Sequence, residues 1–260
     1  MTGYAAVVLA GGAARRMGGV DKPGRPVGGR PMLHRVLAAV ADADQRIVVG
    51  PSGPLPDGVR TTREEPPGGG PVAATAAGLA LLDPATTTVA LLAADLPLLT
   101  AAAVTELRRA LDAPATEQPH DLATEQPHAP GDGQSHAPPA GQPPAPAAER
   151  EHDPAAEREH DPAAERESAL TPDGSTVALT CYVDADGRRQ QLCAVWRLPA
   201  LRAALDRLAA TRGGTLDGAP VRGLLTGVAV REVSWSGSGP PPWFDCDTDE
   251  DVRRAEEWSR

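Results

Sequence analysis

Apolar positions along the chain alternate between two patterns. Short continuous apolar runs such as "AAVVLA" are typical of strands buried on both faces, and they cover residues 5–10, 46–50, 87–97, 175–183, 191–197 and 227–235. Segments with apolar residues at helical spacing predict amphipathic helices, and these cover residues 33–40, 71–82, 100–113, 198–210 and 248–258. The alternation predicts an α/β fold with a mostly parallel sheet covered by helices.

Two stretches fall at one edge of this predicted sheet. Ligands of such folds bind beyond the carboxyl ends of the strands. The glycine-rich loop after residue 10 and Asp95, at the end of the third predicted strand, both lie there. Pro31 and Thr100 are suited to begin the helices that follow the first and third strands.

The predicted pattern is interrupted between residues 114 and 168. This segment holds 12 Asp and Glu against 3 Arg, five of the six histidines and no aromatic residue. It repeats "TEQPH" and "AAEREHDP", and a proline in each unit prevents a long helix. We expect a disordered acidic insert between two parts of one domain, residues 1–113 and 169–260.

Composition excludes several classes of protein. Aromatic residues make up 3% of the chain, and no stretch approaches the roughly 20 apolar residues that span a bilayer. No signal-peptide pattern opens the chain. Three cysteines without metal-like spacing favour buried thiols in a reducing cytoplasm. We expect a cytoplasmic protein with neither a membrane nor a nucleic acid as its partner.

Lys22 is the only lysine among 25 basic residues, and it follows the glycine-rich loop. Gly11 and Gly12 allow the backbone to approach a ligand closely, and such a loop can direct N–H groups toward phosphate oxygens. Lysine is a slim point charge, whereas arginine is a broad planar fork. The pattern therefore favours a phosphate site that needs lysine at position 22, although neither a P-loop nor a G-x-G-x-x-G motif is present.

The stretch from residue 9 to residue 33 resembles the start of the molybdenum cofactor guanylyltransferase family, the MobA-like NTP transferases. The family's pattern is roughly L-A-G-G-x-S-x-R-M-G-x-D-K, followed by G-[KR]-P-L-L. The matching residues are Leu9, Ala10, Gly11, Gly12, Arg16, Met17, Gly18, Asp21, Lys22, Gly29, Arg30, Pro31 and Leu33. Further along, "GGGPVAATAAGL", "LLAADLP" and "FDCDTDEDV" resemble the family's later motifs in the same order.

This resemblance implies a Rossmann-like three-layer sandwich of the nucleotidyltransferase (glycosyltransferase-A-like) type. It implies transfer of GMP from GTP to the terminal phosphate of molybdopterin, with Mg²⁺ as cofactor. Arg16, Lys22 and Asp95 would be catalytic, and Asp95 and Asp247 would bind the metal. The remaining nucleotide-binding positions would be Leu9, Ala10, Gly11, Gly12, Gly50 and Glu64.

The chain departs from the family's pattern at positions that affect specificity. Gly50 stands where the guanylyl branch usually has Asn, and Asp247 stands where the family has Asn. Glu64 and Glu65 are both candidates for the family's acidic residue near the base or ribose. A carboxylate there can accept both guanine N–H donors, which favours GTP over CTP without deciding between them.

Several other functions fit the same residues. The nearest are cytidylyl transfer to the same pterin and guanylyl transfer to another small phosphorylated acceptor such as 2-phospholactate. A sugar-phosphate nucleotidyltransferase is a weaker alternative, because its loop usually has the pattern "AAGxGxR", whereas this chain has "AGGxxxR". A non-catalytic nucleotide-binding assembly partner would not need Lys22, Asp95 and Asp247 together. The acceptor, the oligomeric state and the role of the insert are not determined by the sequence.

Overall fold

A computed structural model of the protein describes residues 3–11, 22–51, 53–114 and 176–259. The predicted insert therefore lies outside the described residues, apart from its first position. Gly12 and Arg16 lie outside them as well. The described residues all belong to one compact unit.

The described chain alternates strands and helices in the predicted order. Its strands are β1 (Gly3–Leu9), β2 (Pro26–Val27), β3 (Arg30–Pro31), β4 (Gln45–Val49), β5 (Val59–Thr62), β6 (Thr86–Ala93), β7 (Leu179–Val183), β8 (Arg189–Arg197) and β9 (Val230–Ser234). Its helices are α1 (Met32–Ala39), α2 (Gly70–Leu79), α3 (Ala101–Asp112), α4 (Leu198–Ala210) and α5 (Asp249–Trp258), with a 3-10 helix at Val221–Leu225. The tiny β2–β3 ribbon stands apart from the main sheet.

The main sheet has seven strands in the order β5-β4-β1-β6-β8-β7-β9. The pairs within β5-β4-β1-β6 are parallel, and β8 is antiparallel to both of its neighbours, β6 and β7. The predicted α/β fold class with a mostly parallel sheet is confirmed. Because β8 runs the other way, its first residues lie beside the carboxyl end of β6, where Leu92 pairs with Cys193.

Two apolar layers cover the faces of the sheet, as the three-layer prediction requires. One face of β1 buries Ala6 and Val8 against α1 and α3, and the opposite face buries Val7 and Leu9 against α2 and α4. Continuous apolar strands are therefore explained by burial on both sides. Among the described residues, no helix is long and apolar enough to cross a membrane.

Helix ends follow the predicted local chemistry. The Thr100 hydroxyl accepts a hydrogen bond from the Ala103 N–H, and Pro31 stands at the N-cap of α1. Thr248 begins α5 with a capping box, in which its side chain accepts from Asp251 N–H and Asp251 accepts from the Thr248 N–H. This box fixes the chain immediately after Asp247.

Three of the described strands were not predicted, namely the two-residue strands β2 and β3 and the edge strand β5. β5 has the sequence VRTT with only partly buried or exposed residues, because it forms the edge of the sheet. A short, polar edge strand carries neither an apolar run nor a clean alternation, so the sequence gives no periodic signal for it. The strand nevertheless matters, because it leads directly to Glu64.

Candidate functional site

The carboxyl ends of four parallel strands meet at one edge of the sheet. In the strand register, Leu9 pairs with Val49 and with Ala93, and Val49 pairs with Thr62. The residues that follow these strands therefore lie side by side. The predicted binding edge brings together the loop at residues 10–11, Gly50, Glu64 and Asp95.

The loop after β1 is packed tightly against the end of β4. Both the Ala10 and Gly11 N–H groups donate to the Val49 carbonyl, at 2.8 and 3.2 Å. Gly50 has a φ of +116°, and a Cβ on it would lie 2.5 Å from the Gly11 nitrogen. Backbone conformation and close approach together restrict this position to glycine. At the position where the guanylyl branch usually has an Asn side chain, the backbone of Gly50 packs directly against the backbone of Gly11.

Glu64 and Glu65, which the sequence left as alternatives, are separated by burial. Glu64 is 7% exposed, whereas Glu65 is exposed. The Glu64 carboxylate accepts a hydrogen bond from the Gly68 N–H through Oε1, at 2.9 Å. Its Oε2 is buried without a hydrogen-bond partner in the described part of the chain. A buried carboxylate oxygen with no partner is costly, and a ligand donor at this place would offset that cost.

The lone lysine lies between two carboxylates. Lys22 Nζ donates to Asp95 Oδ2 at 2.5 Å and to Asp247 Oδ1 at 2.6 Å. The side chains of Lys22 and Asp95 are 19% and 22% exposed, while that of Asp247 is 73% exposed. Burial lowers the pKa of Lys22, but its hydrogen bonds to Asp247 and Asp95 outweigh burial and raise the pKa overall. The ammonium is therefore charged at neutral pH.

Three distant segments position this charged group. Lys22 is held by a turn in which Arg25 N–H donates to its carbonyl, and the next residue, Pro23, accepts from the Leu33 N–H of α1. Asp95 follows β6 in a turn. The Cys246 N–H donates to the Asp95 carbonyl at 3.2 Å, which ties the segment before α5 to the end of β6.

A further carboxylate, Asp245, was not singled out from the sequence. Burial, followed by the negative charges of Asp247 and Asp95, raises its pKa. The only available sequence signal was its spacing of two residues from Asp247, which places the two carboxylates on the same side of an extended segment.

The residues present suit a divalent cation. The described residues contain no group of three or more His, Cys, Asp or Glu arranged to hold a metal. Mg²⁺, however, is usually bound through one or two carboxylates together with substrate phosphates and waters. A cationic Nζ already lies between Asp95 and Asp247, so this pair attracts positive charge as a magnesium site must.

The cysteines agree with the sequence prediction. Cys181, Cys193 and Cys246 are all free and buried. Burial is the main cause of their raised pKa values, which are about 11 for Cys181 and about 12 for Cys193 and Cys246. These thiols are therefore protonated at neutral pH and are not nucleophiles.

A cavity of about 260 Å³ opens beside Asp95, and its lining also includes Leu9 and Gly11 at the carboxyl end of β1. Its lining includes Gln190 and Leu192 from β8, and Trp243 and Asp245 from the segment before α5. Sequence reasoning did not place these residues in the site. The antiparallel course of β8 brings Gln190 and Leu192 to this edge, and the bond from the Cys246 N–H to the Asp95 carbonyl holds the segment of Trp243 and Asp245 there.

Parts of the chain are similar in sequence to known proteins. The model of the MobA-like NTP transferase domain family matches residues 6–150. The chain is 52% identical over 48 residues to a probable molybdenum cofactor guanylyltransferase of Haloferax mediterranei, a match covering 18% of this chain and 23% of that protein. It is 36% identical over 124 residues to a molybdenum cofactor guanylyltransferase of Bradyrhizobium sp. (strain ORS 278), covering 45% of this chain and 58% of that one. The matches thus span less than two thirds of these relatives.

Solved structures share the fold. Molybdopterin-guanine dinucleotide biosynthesis protein A from Archaeoglobus fulgidus superposes with a TM-score of 0.57 at 14% identity, with 97% of each chain covered. The 2-C-methyl-D-erythritol 4-phosphate cytidylyltransferase from Thermus thermophilus superposes with a TM-score of 0.53 at 18% identity, also with 97% of each chain covered. At these identities the likeness concerns the fold alone.

Proposed function

The chain belongs to the MobA-like NTP transferase family, and from this premise we propose that it transfers GMP from GTP to the terminal phosphate of molybdopterin and releases pyrophosphate. The observation that carries the proposal is the Lys22 ammonium held between Asp95 and Asp247 at the carboxyl edge of the sheet. This arrangement offers one cationic side chain and two carboxylates beside a glycine backbone. A magnesium triphosphate needs these three kinds of group.

The metal position follows from the same contacts. Asp95 and Asp247 would hold Mg²⁺, and Lys22 would exchange its carboxylate partners for phosphate oxygens. When bound, Mg²⁺ neutralises phosphate charge as a Lewis acid. Asp95 is the main ligand in this proposal, because it is less exposed than Asp247 and its backbone is fixed by the bond from Cys246.

The reaction is a displacement at the α-phosphorus of GTP. An oxygen of the acceptor's terminal phosphate forms a new bond to this phosphorus. The bond from the α-phosphorus to the bridging oxygen breaks, and pyrophosphate leaves with the electron pair. In this proposal Lys22 neutralises the departing charge, and the family pattern gives Arg16 the same task. Catalysis of this kind consists mainly of positioning and electrostatic stabilisation.

Glu64 is the residue that we assign to the base. Its Oε2 is buried without a partner among the residues that the structure describes, and a Cβ on Gly11 would lie 4.0 Å from its other oxygen, Oε1. Guanine presents two adjacent N–H donors on one edge, which a carboxylate accepts in pairs. Cytosine offers one amino donor on this edge, followed by two acceptors, N3 and O2. The chemistry of Glu64 therefore favours GTP, in agreement with the names of the curated relatives.

The proposal is tested by pyrophosphate release. GTP, CTP and ATP are each supplied with Mg²⁺ and with either molybdopterin or 2-phospholactate, and thermal shifts measure nucleotide binding separately. Ligand at 100 times its dissociation constant stabilises the folded state by about 2.7 kcal/mol, so base preference appears directly in the melting temperature. We expect the largest shift with GTP and release only when molybdopterin is also present.

Each alternative has its own outcome. Release with CTP and molybdopterin would replace GMP transfer by CMP transfer, and release with GTP and 2-phospholactate would replace the acceptor. Nucleotide binding without release under any combination would favour a non-catalytic partner.

We assign the reaction to the cytoplasm, which is supported by the three unpaired buried cysteines.

A further inference from the structure

The three side chains of the charged site stand on separate segments of the chain. Lys22 precedes the β2–β3 ribbon, Asp95 follows β6, and Asp247 precedes α5. Lys22 is 73 positions from Asp95 and 225 positions from Asp247. Partly exposed ion pairs stabilise a fold only weakly, so these contacts do not by themselves hold the segments in place. Other residues have to fix the three segments relative to one another.

A small apolar cluster joins the same three segments. Its members come from the ribbon and the start of α1, from the residues after β6, and from α5 with the segment before it: Val27, Met32, Leu98, Cys246, Val252 and Ala255, with Phe244 packed against them. This cluster is separate from the two layers that cover the main sheet. Apolar packing has little directionality, so polar contacts are needed to set the orientation of each segment.

Arg35, on α1, supplies directional contacts to all three segments. Its Nε donates to the carbonyl of Pro97, in the segment after β6, at 2.7 Å. Its Nη1 donates to the carbonyl of Val27, in β2, at 3.3 Å. Its Nη2 donates to the hydroxyl of Ser259, immediately after α5, at 3.1 Å. One planar group therefore connects the three segments of the charged site.

Two of these contacts lie close in sequence to the charged side chains. Pro97 is two residues beyond Asp95, and Val27 is five residues beyond Lys22. The connection after Lys22 is itself a turn, in which the Arg25 N–H donates to the Lys22 carbonyl at 3.1 Å. A displacement of either accepting carbonyl is therefore transmitted to a side chain of the site over a few peptide units.

The third contact acts through α5. The Ser259 hydroxyl donates to the Ala255 carbonyl at 2.7 Å, so Arg35 is bonded to the last turn of this helix. At the other end, the capping box of Thr248 begins the helix directly after Asp247. Because the ten residues of α5 form one continuous helix, the bond from Arg35 at its end helps to set the direction of the segment at its start.

Arginine rather than lysine is required for this arrangement. A guanidinium has five N–H donors in a rigid planar fork, whereas an ammonium has three donors on a single nitrogen. The three acceptors of Arg35 are bonded by three different nitrogen atoms, and all are uncharged oxygens. A lysine at this position would keep the positive charge and lose the shape that spans the three segments.

We propose that Arg35 is a positioning residue for nucleotidyl transfer, which holds the Lys22 ammonium and its two carboxylate partners at the spacing that the reaction requires. The inference rests on the proposed function and extends it with a residue that is not itself catalytic. Arg35 acts through the segments that carry the three charged side chains. Its loss therefore affects the chemical step more than it affects recognition of the base, to which Glu64 is assigned.

The first test measures turnover in Arg35→Lys and Arg35→Met. We expect each substitution to lower kcat for pyrophosphate release about tenfold, because small displacements of catalytic groups are costly, while KM for GTP changes by less than about threefold. A milder variant, Ser259→Ala, removes only one of the three acceptors. We expect it to lower kcat about twofold.

The second test observes Lys22 directly and needs no substrate. Because Lys22 is the only lysine in the chain, protein labelled with lysine that carries a heavy nitrogen isotope gives one side-chain ammonium signal in its magnetic resonance spectrum. We expect this signal to move toward the position of free lysine in both Arg35 variants and, by a smaller amount, in Ser259→Ala.

The matched control is Arg197→Lys. Arg197 also donates to two backbone carbonyls, those of Val177 at 2.9 Å and Leu111 at 3.1 Å, but it lies at the opposite edge of the sheet, where β8 ends beside the start of β6. We expect this variant to lose stability to urea as the Arg35 variants do, with kcat and the Lys22 signal unchanged.

Three outcomes would overturn the inference. Parent kcat and an unmoved ammonium signal in Arg35→Lys would mean that charge alone suffices. The same two results in Arg35→Met and Ser259→Ala would leave Arg35 a purely structural residue. An equal fall of kcat in Arg197→Lys would attribute the effect to a general loss of stability.

These outcomes leave guanylyl transfer intact. The proposed function fails instead if the parent protein binds no GTP or releases no pyrophosphate under any combination of substrates. The ammonium signal is independent of substrate, so it still decides whether Arg35 positions Lys22 in that case.

Discussion

The two halves of the binding edge are built by different physical means. The packed half consists of Gly11, Gly50 and Glu64, where backbone approaches backbone and a carboxylate is buried. The charged half consists of Lys22, Asp95 and Asp247, which are side chains with 19%, 22% and 73% exposure. The first half leaves no room for a Cβ at Gly50, and the second half depends on the charges of its side chains.

The difference separates folding from chemistry. Partly exposed ion pairs contribute only about 0–1 kcal/mol to stability, so the Lys22 contacts add little to the fold. Tight packing at Gly50, by contrast, is a condition of the fold itself. Substitutions in the charged half should therefore reduce turnover and preserve stability, whereas those in the packed half should reduce stability as well.

The largest effect is expected from Lys22→Ala. Loss of the charge that stabilises the departing pyrophosphate should reduce kcat by about 10²–10³-fold, with a change in the free energy of unfolding below about 1 kcal/mol. Arg25→Ala is the matched control, because Arg25 is a neighbouring cation that pairs with Asp249. Steady-state pyrophosphate release and urea unfolding measure the two effects. Turnover by Lys22→Ala equal to that of the parent protein would contradict the charged half as we describe it.

Gly50→Ala is expected to have the next largest effect. A Cβ 2.5 Å from the Gly11 nitrogen, added to the strain of a positive φ, should lower the free energy of unfolding by about 2–4 kcal/mol. Gly187→Ala separates the two causes, because Gly187 also has a positive φ, of 75°, but has open space around its Cβ position. Urea unfolding should show a smaller loss for Gly187→Ala. Equal losses would mean that the contact with Gly11 is unimportant.

Glu64→Gln should change selectivity more than stability. An amide offers one acceptor where the carboxylate offers two, so we expect the preference for GTP over CTP to fall about tenfold. The neighbouring Glu65→Gln is the control, since Glu65 is exposed. Competition binding with the two nucleotides measures the ratio. An unchanged ratio in Glu64→Gln would assign base recognition to other residues.

The smallest effect is expected from Asp247→Asn, which restores the residue typical of the family. Asp247 is mostly exposed, so removing its charge should weaken Mn²⁺ binding in the presence of GTP by only about two- to fivefold. Paramagnetic resonance of free Mn²⁺ measures this directly, with Asp249→Asn as the exposed control. A loss as large as that caused by Asp95→Asn would show that the two carboxylates contribute equally.

Local sequence signals predicted most of the fold. The apolar runs of β1, β4 and β6 and the helical spacing of α1, α3 and α4 correspond to the observed elements within a few residues. The Thr100 cap was predicted from chemistry confined to one turn. β5 was missed because an edge strand has no buried face and therefore no apolar pattern. The element that positions Glu64 was for this reason not predicted.

By itself, the sequence determined the alternation of strands and helices, the glycine loop and the single lysine, because each of these features depends only on residues that are close together in the sequence. Only the tertiary structure decided that Lys22 meets Asp247, 225 positions away, that Glu64 rather than Glu65 is buried, and that Trp243 lines a cavity beside Asp95. These contacts depend on the order of strands in the sheet and on the reversed direction of β8. Strand order is set by packing between distant segments, which local periodicity does not encode.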